Sequence, residues 1–113
     1  MKVLCVLFIT VTIGTSLCTA QSKYTPTSYL EKHNKAAKQL MRETGVPASV
    51  ILAIAIHESA YGNGRIATYL NNHFGIKGKN SSKKIKSAYK GYDSTLASYR
   101  DFVELLQRKK STQ

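Results

Sequence analysis

Between Ser28 and Arg42, Tyr29, Leu30, His33, Ala36, Ala37, Leu40 and Met41 recur at helical spacing, with Lys32, Lys35, Lys38 and Arg42 between them. That period predicts an amphipathic helix with a wet, basic face. Ser28-Tyr29-Leu30-Glu31 has the form of a capping box at its start, and Gly45 is placed to end it. Gln21 to Pro26 reads as a flexible lead-in. His33 falls on the apolar stripe and is expected to pack there rather than to bind a ligand. A different pattern follows. Val50 to Ile56 is wholly apolar, too short for the roughly 20 residues that span a bilayer. It predicts a helix buried on most of its surface, opened by Pro47, which suits a first turn that needs no amide donor.

The run stops at His57-Glu58-Ser59, and a Gly62-Asn63-Gly64 turn follows. Arg65 to Leu70 reads as a short helix with Ile66, Ala67 and Leu70 inward. Asn71-Asn72-His73 breaks it, Phe74 to Lys77 reads as extended, and Gly78 to Ser82 is a loop. Lys83 to Tyr92 is expected to be a strand or hairpin arm, completing a small β lobe. Asp93 or Ser94 then caps a last helix with Leu96, Tyr99, Phe102, Val103 and Leu106 as its apolar stripe. Arg108, Lys109 and Lys110 suit its electronegative C-terminal end. The expected fold is mainly α (α+β): about four helices around a buried central helix, with a short β lobe.

The first 20 residues change the picture of where the chain works. Lys2, the apolar stretch Val3 to Ile13 and the small-residue site Cys18-Thr19-Ala20 read as a secretory signal peptide, leaving residues 21 to 113 as one exported domain. The bulky Leu17 before Cys18 is unlike a lipoprotein site. Both cysteines, Cys5 and Cys18, fall in the leader, so the processed chain is expected to have no disulfide. The destination is the periplasm or the cell wall and its surroundings, with no transmembrane anchor in the processed chain and a monomeric state. Lys and Arg number 17 against 6 Asp and Glu, a formal charge of +11. Such an excess implies an anionic partner. Export favours cell-wall polymer over nucleic acid, although Lys77, Lys79, Lys83, Lys84, Lys86 and Lys90 around Tyr89 and Tyr92 have the make-up of a phosphate-tracking loop.

Among the acids, Glu58 stands out. At the end of an apolar helix it meets the negative end of the helix dipole and adjacent apolar surface. Both effects favour the protonated form, as a general acid needs; a solvated glutamate at a helix end is the plainer alternative. The six acids are Glu31, Glu43, Glu58, Asp93, Asp101 and Glu104. Asp93 is the candidate second carboxylate, with helix capping as its competing role; Asp101 and Glu104 are expected to be exposed on the last helix. Asn71 and Asn72 offer amides to an acetamido group or act as a helix stop. Tyr61, Tyr89 and Tyr92 offer faces to sugar rings or pack with satisfied hydroxyls. His57 points to another helix face and is not expected to be catalytic. No metal site and no cofactor motif is evident.

Glu58-Ser59-Ala60-Tyr61-Gly62-Asn63-Gly64-Arg65-Ile66-Ala67, followed by Asn71-Asn72-His73-Phe74-Gly75-Ile76-Lys77-Gly78, resembles the bacterial glucosaminidase domain of glycoside hydrolase family 73. Tyr92-Asp93-Ser94 and Ser98-Tyr99-Arg100-Asp101-Phe102 extend the resemblance, which covers most of residues 45 to 106. It implies a lysozyme-like fold and hydrolysis of the β-1,4 bond after N-acetylglucosamine in peptidoglycan, with Glu58 as the general acid. It also implies that Asn71, Asn72 and Phe74 to Lys77, including Lys77 itself, lie beside the substrate cleft. The family's β lobe usually carries a second acid; between Lys77 and Tyr92 this chain has none. The family also usually continues past the position of Gln113 with a tyrosine-bearing segment. Single-glutamate routes therefore stand beside the two-carboxylate one: assistance by the substrate's acetamido group, or lytic transglycosylation. An inactive wall-gripping module is the rival from a different class.

Overall fold

The computed structural model describes residues 23–80 and 82–111, so the expected signal peptide lies outside the described residues. Among the described residues four helices run in order: α1 (Pro26–Thr44), α2 (Ala48–Ser59), α3 (Arg65–Leu70) and α4 (Thr95–Ser111). No helix among the described residues is long and apolar enough to cross a membrane.

α1 starts one turn earlier than the sequence pattern suggests. Thr25 is the N-cap, its side chain accepting from the Ser28 amide while the Ser28 hydroxyl accepts from the Thr25 amide, and Pro26 sits at the first helical position. The reciprocal pair is thus Thr25 with Ser28, not Ser28 with Glu31. Two short hydroxyl side chains close the box, and Pro26 supplies the preset φ. Gly45, at φ 82°, ends the helix and returns its amide to the Met41 carbonyl. The lead-in is tied down as well. The Tyr24 amide donates to Asn63 Oδ1 and its carbonyl accepts from Asn63 Nδ2, each at 2.9 Å. The described part of the expected flexible lead-in, residues 23–26, is therefore a strap held by the glycine-flanked turn, and Gln21 and Ser22 lie outside the described residues.

The core forms where α1, α2 and α4 meet. Tyr29, Ala37 and Leu40 of α1, Ile51 and Ala55 of α2, and Tyr99 and Val103 of α4 are fully buried together, and Phe74 of the following loop joins them. Burying a side chain such as Leu40 or Ile51 contributes about 1.5–3 kcal/mol. α2 is less enclosed than its composition suggests: Val50 is 42% exposed, and Ala53 is also exposed. Its neighbours α1 and α4 cover the Ile51, Leu52 and Ala55 face and leave the opposite one open. Leu96, expected in the α4 stripe, is 36% exposed because it lies in the first turn, short of the core.

Among the described residues the β lobe is a single antiparallel bridge between Lys77 and Tyr89. The Gly78 amide donates to the Ala88 carbonyl at 3.0 Å and the Lys90 amide to the Ile76 carbonyl at 2.8 Å. Pairing does not extend over Lys83 to Tyr92 as expected. Lysines at 83, 84 and 86 provide no alternating apolar face to bury, and the Asn80 side chain bonds the Ile85 carbonyl across the bend instead.

Candidate active site

Glu58 occupies the last turn of α2, and the chain beyond it turns sharply. Ala60, Tyr61 and Gly62 all adopt left-handed backbone, with φ of 50°, 57° and 80°. For the two non-glycine residues this conformation costs on the order of 1 kcal/mol each, and it persists only where the surroundings enforce it. Ser59 supplies that enforcement. It is buried, its hydroxyl donates to the Ala55 carbonyl and accepts the Gly62 amide at 2.8 Å, and its carbonyl accepts the Gly64 amide at 2.9 Å. Gly62 admits no side chain, since a Cβ there would lie 2.9 Å from the Tyr29 ring.

The loop that follows α3 is built around Asn72. This side chain is fully buried. Its Oδ1 accepts the amides of Phe74, Gly75 and Ile76 at 3.2, 2.9 and 3.3 Å. Its Nδ2 donates to the carbonyls of Ile76 and Lys90 at 2.8 and 2.9 Å. One amide thereby folds the Phe74–Ile76 segment and ties it to the returning chain. The expected sugar-contacting role for Asn72 gives way to this bracing role, because every polar atom of its side chain is already engaged. Phe74 is likewise inward: 7% exposed, stacked on Phe102 at 4.2 Å between ring centroids. It anchors the loop rather than lining an open surface.

These two constructions meet. Gly75, at φ 68°, faces Glu58, and a Cβ built on it would lie 3.5 Å from Glu58 Oε1. The carboxylate therefore has loop backbone against one side. It is otherwise exposed, as is His57. The apolar enclosure expected around Glu58 is absent: it is exposed although it follows Ile51 and Ala55 on the packed side of α2, because it lies in the helix's last turn.

The remaining candidates are spread around this point. Asn71 caps α3 in left-handed conformation, and its Nδ2 donates to the Tyr92 carbonyl at 3.1 Å. Asp93 is exposed and is not the α4 cap; that role falls to Ser94, whose hydroxyl accepts the Ala97 amide at 3.1 Å. Asp93, Tyr92, Asn71 and Tyr69 line a cavity of about 260 Å³ whose walls do not include Glu58. Tyr69, 47% exposed, was not singled out by the sequence, where it falls outside the inward set Ile66, Ala67 and Leu70. Tyr61 packs against the core cluster, Tyr89 is half-buried, and Lys77 is exposed beside it at the bridge.

Asp101, expected to be solvent-facing, instead clamps the loop to α4. It accepts the Tyr92 hydroxyl at 2.6 Å and pairs with Lys90 at 2.9 Å, its own side chain 18% exposed. Burial and then the Asp101 carboxylate push the Tyr92 hydroxyl up from its ordinary value. Despite its partial burial, the bonds from Tyr92 and Lys90 hold the Asp101 carboxyl below the usual range. Glu43 is engaged elsewhere, with Arg100 at 2.7 Å.

Between α1, α4 and the loop after α3 lies a buried polar cluster. The Tyr29 hydroxyl is 2.7 Å from both the Tyr99 hydroxyl and His73 Nδ1. One consistent arrangement has Tyr99 donating to Tyr29 and Tyr29 donating to a neutral His73. His33 packs beside them, 4.4 Å from the Tyr29 ring, and its Nε2 is buried without a hydrogen-bond partner. Burial holds both imidazoles down at about 4.

A mainly helical, lysozyme-like domain with a helix-terminal glutamate against a glycine of a braced loop is the class defined by this arrangement. The glucosaminidase family model, described as mannosyl-glycoprotein endo-beta-N-acetylglucosaminidase, matches residues 34–113, and the chain belongs to that family. No curated protein matches it. A similar solved structure is that of a type VI secretion system effector-immunity complex from Pseudomonas protegens, at 26% identity and a TM-score of 0.58. The match covers 67% of this chain and 57% of that one, so the chain spans little more than half of its structural relative.

Proposed function

We propose that the chain is an exported peptidoglycan hydrolase cleaving β-1,4 glycosidic bonds of the glycan strand, an endo-β-N-acetylglucosaminidase with Glu58 as general acid. The observation that carries this reading is the approach of Gly75 to Glu58, close enough that a Cβ on the glycine would touch the carboxylate. It joins the two halves of the glucosaminidase-like motif at one carboxylate that is open to a ligand.

In this mechanism Glu58, protonated, gives its proton to the departing glycosidic oxygen and later takes one from the attacking water. A second carboxylate is harder to assign. Glu43 and Asp101 are engaged with Arg100 and with Lys90 and Tyr92, and Asp93 belongs to a cavity that Glu58 does not line. These placements favour a route in which the substrate supplies the second group, its acetamido oxygen attacking the anomeric carbon. Lytic transglycosylation, with a muramic hydroxyl as the internal nucleophile, makes the same demand on Glu58. The exposed lysines of the 77–86 loop suit the anionic groups of a wall polymer.

The test is fragment release from purified peptidoglycan by the processed chain and by Glu58→Gln. Release by the wild type and none by a folded Glu58→Gln supports the reading. Equal release by both, or tight binding with release by neither, overturns the hydrolase assignment to Glu58; the second result identifies a wall-gripping module.

A further inference from the structure

Between α1, α3 and the start of α4 lies a second cavity, of about 170 Å³, bounded in part by Lys23, Lys32, His33, Asn71, His73 and Thr95. It has room for several waters at roughly 30 Å³ each. Its lining holds two ammonium groups, two imidazoles, an amide and hydroxyls, and no carboxylate. Neither lysine is neutralised from outside, since the salt bridges among the described residues join other pairs, Lys90 with Asp101 and Arg100 with Glu43.

The two lysines instead converge on one aromatic ring. Lys23 and Lys32 Nζ lie 5.3 and 4.9 Å from the Tyr24 centroid, and Lys32 Nζ donates to the Tyr24 hydroxyl at 2.6 Å. That bond, with both nearby charges, holds the Tyr24 hydroxyl below its ordinary value. The Lys32 charge also adds to burial in disfavouring protonation of His33 and His73. Each effect reports an unbalanced positive potential at this spot. The rim is preformed, because Asn63 holds both backbone groups of Tyr24. One wall residue is also polar and unmet: His33, 6% exposed, has its Nε2 without a partner.

We propose that this cavity binds a single oxyanion group, a phosphate or a carboxylate, held by the Lys23 and Lys32 ammonium groups with polar support from His73, Asn71 and Thr95. Charge-assisted bonds from two ammoniums suit an oxyanion, and the absence of a lining carboxylate removes the repulsion that would exclude one. The site is separate from Glu58, which does not line it, and does not rest on the hydrolase reading.

The test is an NMR titration of the processed chain at constant ionic strength and pH 7, following the three histidine rings. Inorganic phosphate is the probe in one arm and acetate in the other. Saturable shifts at His33 and His73 with His57 unmoved are expected in at least one arm, and the arm that saturates tells phosphate from carboxylate. Lys32→Gln is expected to weaken the binding at least about tenfold, the scale of one lost charge-assisted bond, while Lys35→Gln, an exposed lysine of the same helix that does not line the cavity, leaves it unchanged. Unsaturating shifts shared by all three rings, or affinity insensitive to Lys32→Gln, overturn the proposal.

Discussion

Glu58 Oε1 lies 3.5 Å from the position that a Cβ on Gly75 would occupy. The two residues are brought together by different devices. Glu58 is set by a helix whose buried face is fixed in the core, Gly75 by the Oδ1 of Asn72. At φ 68° the Gly75 backbone is in the region that side chains rarely enter. Gly75→Ala is therefore expected to cost about 1 kcal/mol or more of stability and to lower wall lysis further by shifting the loop against the carboxylate. Thermal melting and fragment release measure the two effects; full activity in a folded Gly75→Ala would show that this contact does not matter to catalysis.

Asn72 is expected to be the most sensitive loop position. Replacement by Ala removes the acceptor for the amides of residues 74, 75 and 76 and the donor to two carbonyls. With several buried groups left unpaired, the loss is roughly 3 kcal/mol or more. Urea unfolding checks it, and a loss under 1 kcal/mol would contradict the bracing role.

The Asp101 clamp should behave as a coupled unit. Asp101→Asn and Tyr92→Phe each remove the charge-assisted bond, at about 1.5–3 kcal/mol, while the double variant should cost less than their sum. Strict additivity in a double-mutant cycle would argue that the 2.6 Å contact contributes nothing.

The buried imidazoles make stability depend on acidity. His33 and His73 are held at about 4 in the folded chain, against about 6.5 for a free histidine. Between those values the unfolded chain binds more protons, so stability rises with pH and is lost as pH falls from about 6.5 through 4. The upper limit is on the order of 3 kcal/mol per histidine. Unfolding free energies at pH 7 and pH 4.5 should differ in this sense, and His33→Phe should flatten the slope. An unchanged slope in His33→Phe would show that the ring does not titrate in this window.

The helices were legible because each announces itself by local means: the Tyr29–Leu40 period, the Val50–Ile56 run, the Gly45 stop and the Tyr99–Val103 stripe. Where the capping box fell was harder, since Ser28-Glu31 fits the usual Ser/Thr-x-x-Glu/Gln pattern while the pair that forms, Thr25 with Ser28, closes on a serine instead. The site was legible as a motif but not as a shape. Nothing periodic shows that Asn72 spends its amide on residues 74 to 76 and 90, or that Asp101 reaches back to Tyr92. Glu58 is exposed although it follows Ile51 and Ala55 on the packed side of α2, and an almost uniform apolar run carries no mark of where that cover stops.

Incubation of purified peptidoglycan with residues 21–113 and with their Glu58→Gln variant, followed by mass spectrometry of the soluble products, tests the central claim most directly. New reducing N-acetylglucosamine ends from the wild type, and none from a folded Glu58→Gln, are the expected result. Undiminished product from Glu58→Gln, or no new glycan ends from the wild type, would contradict it.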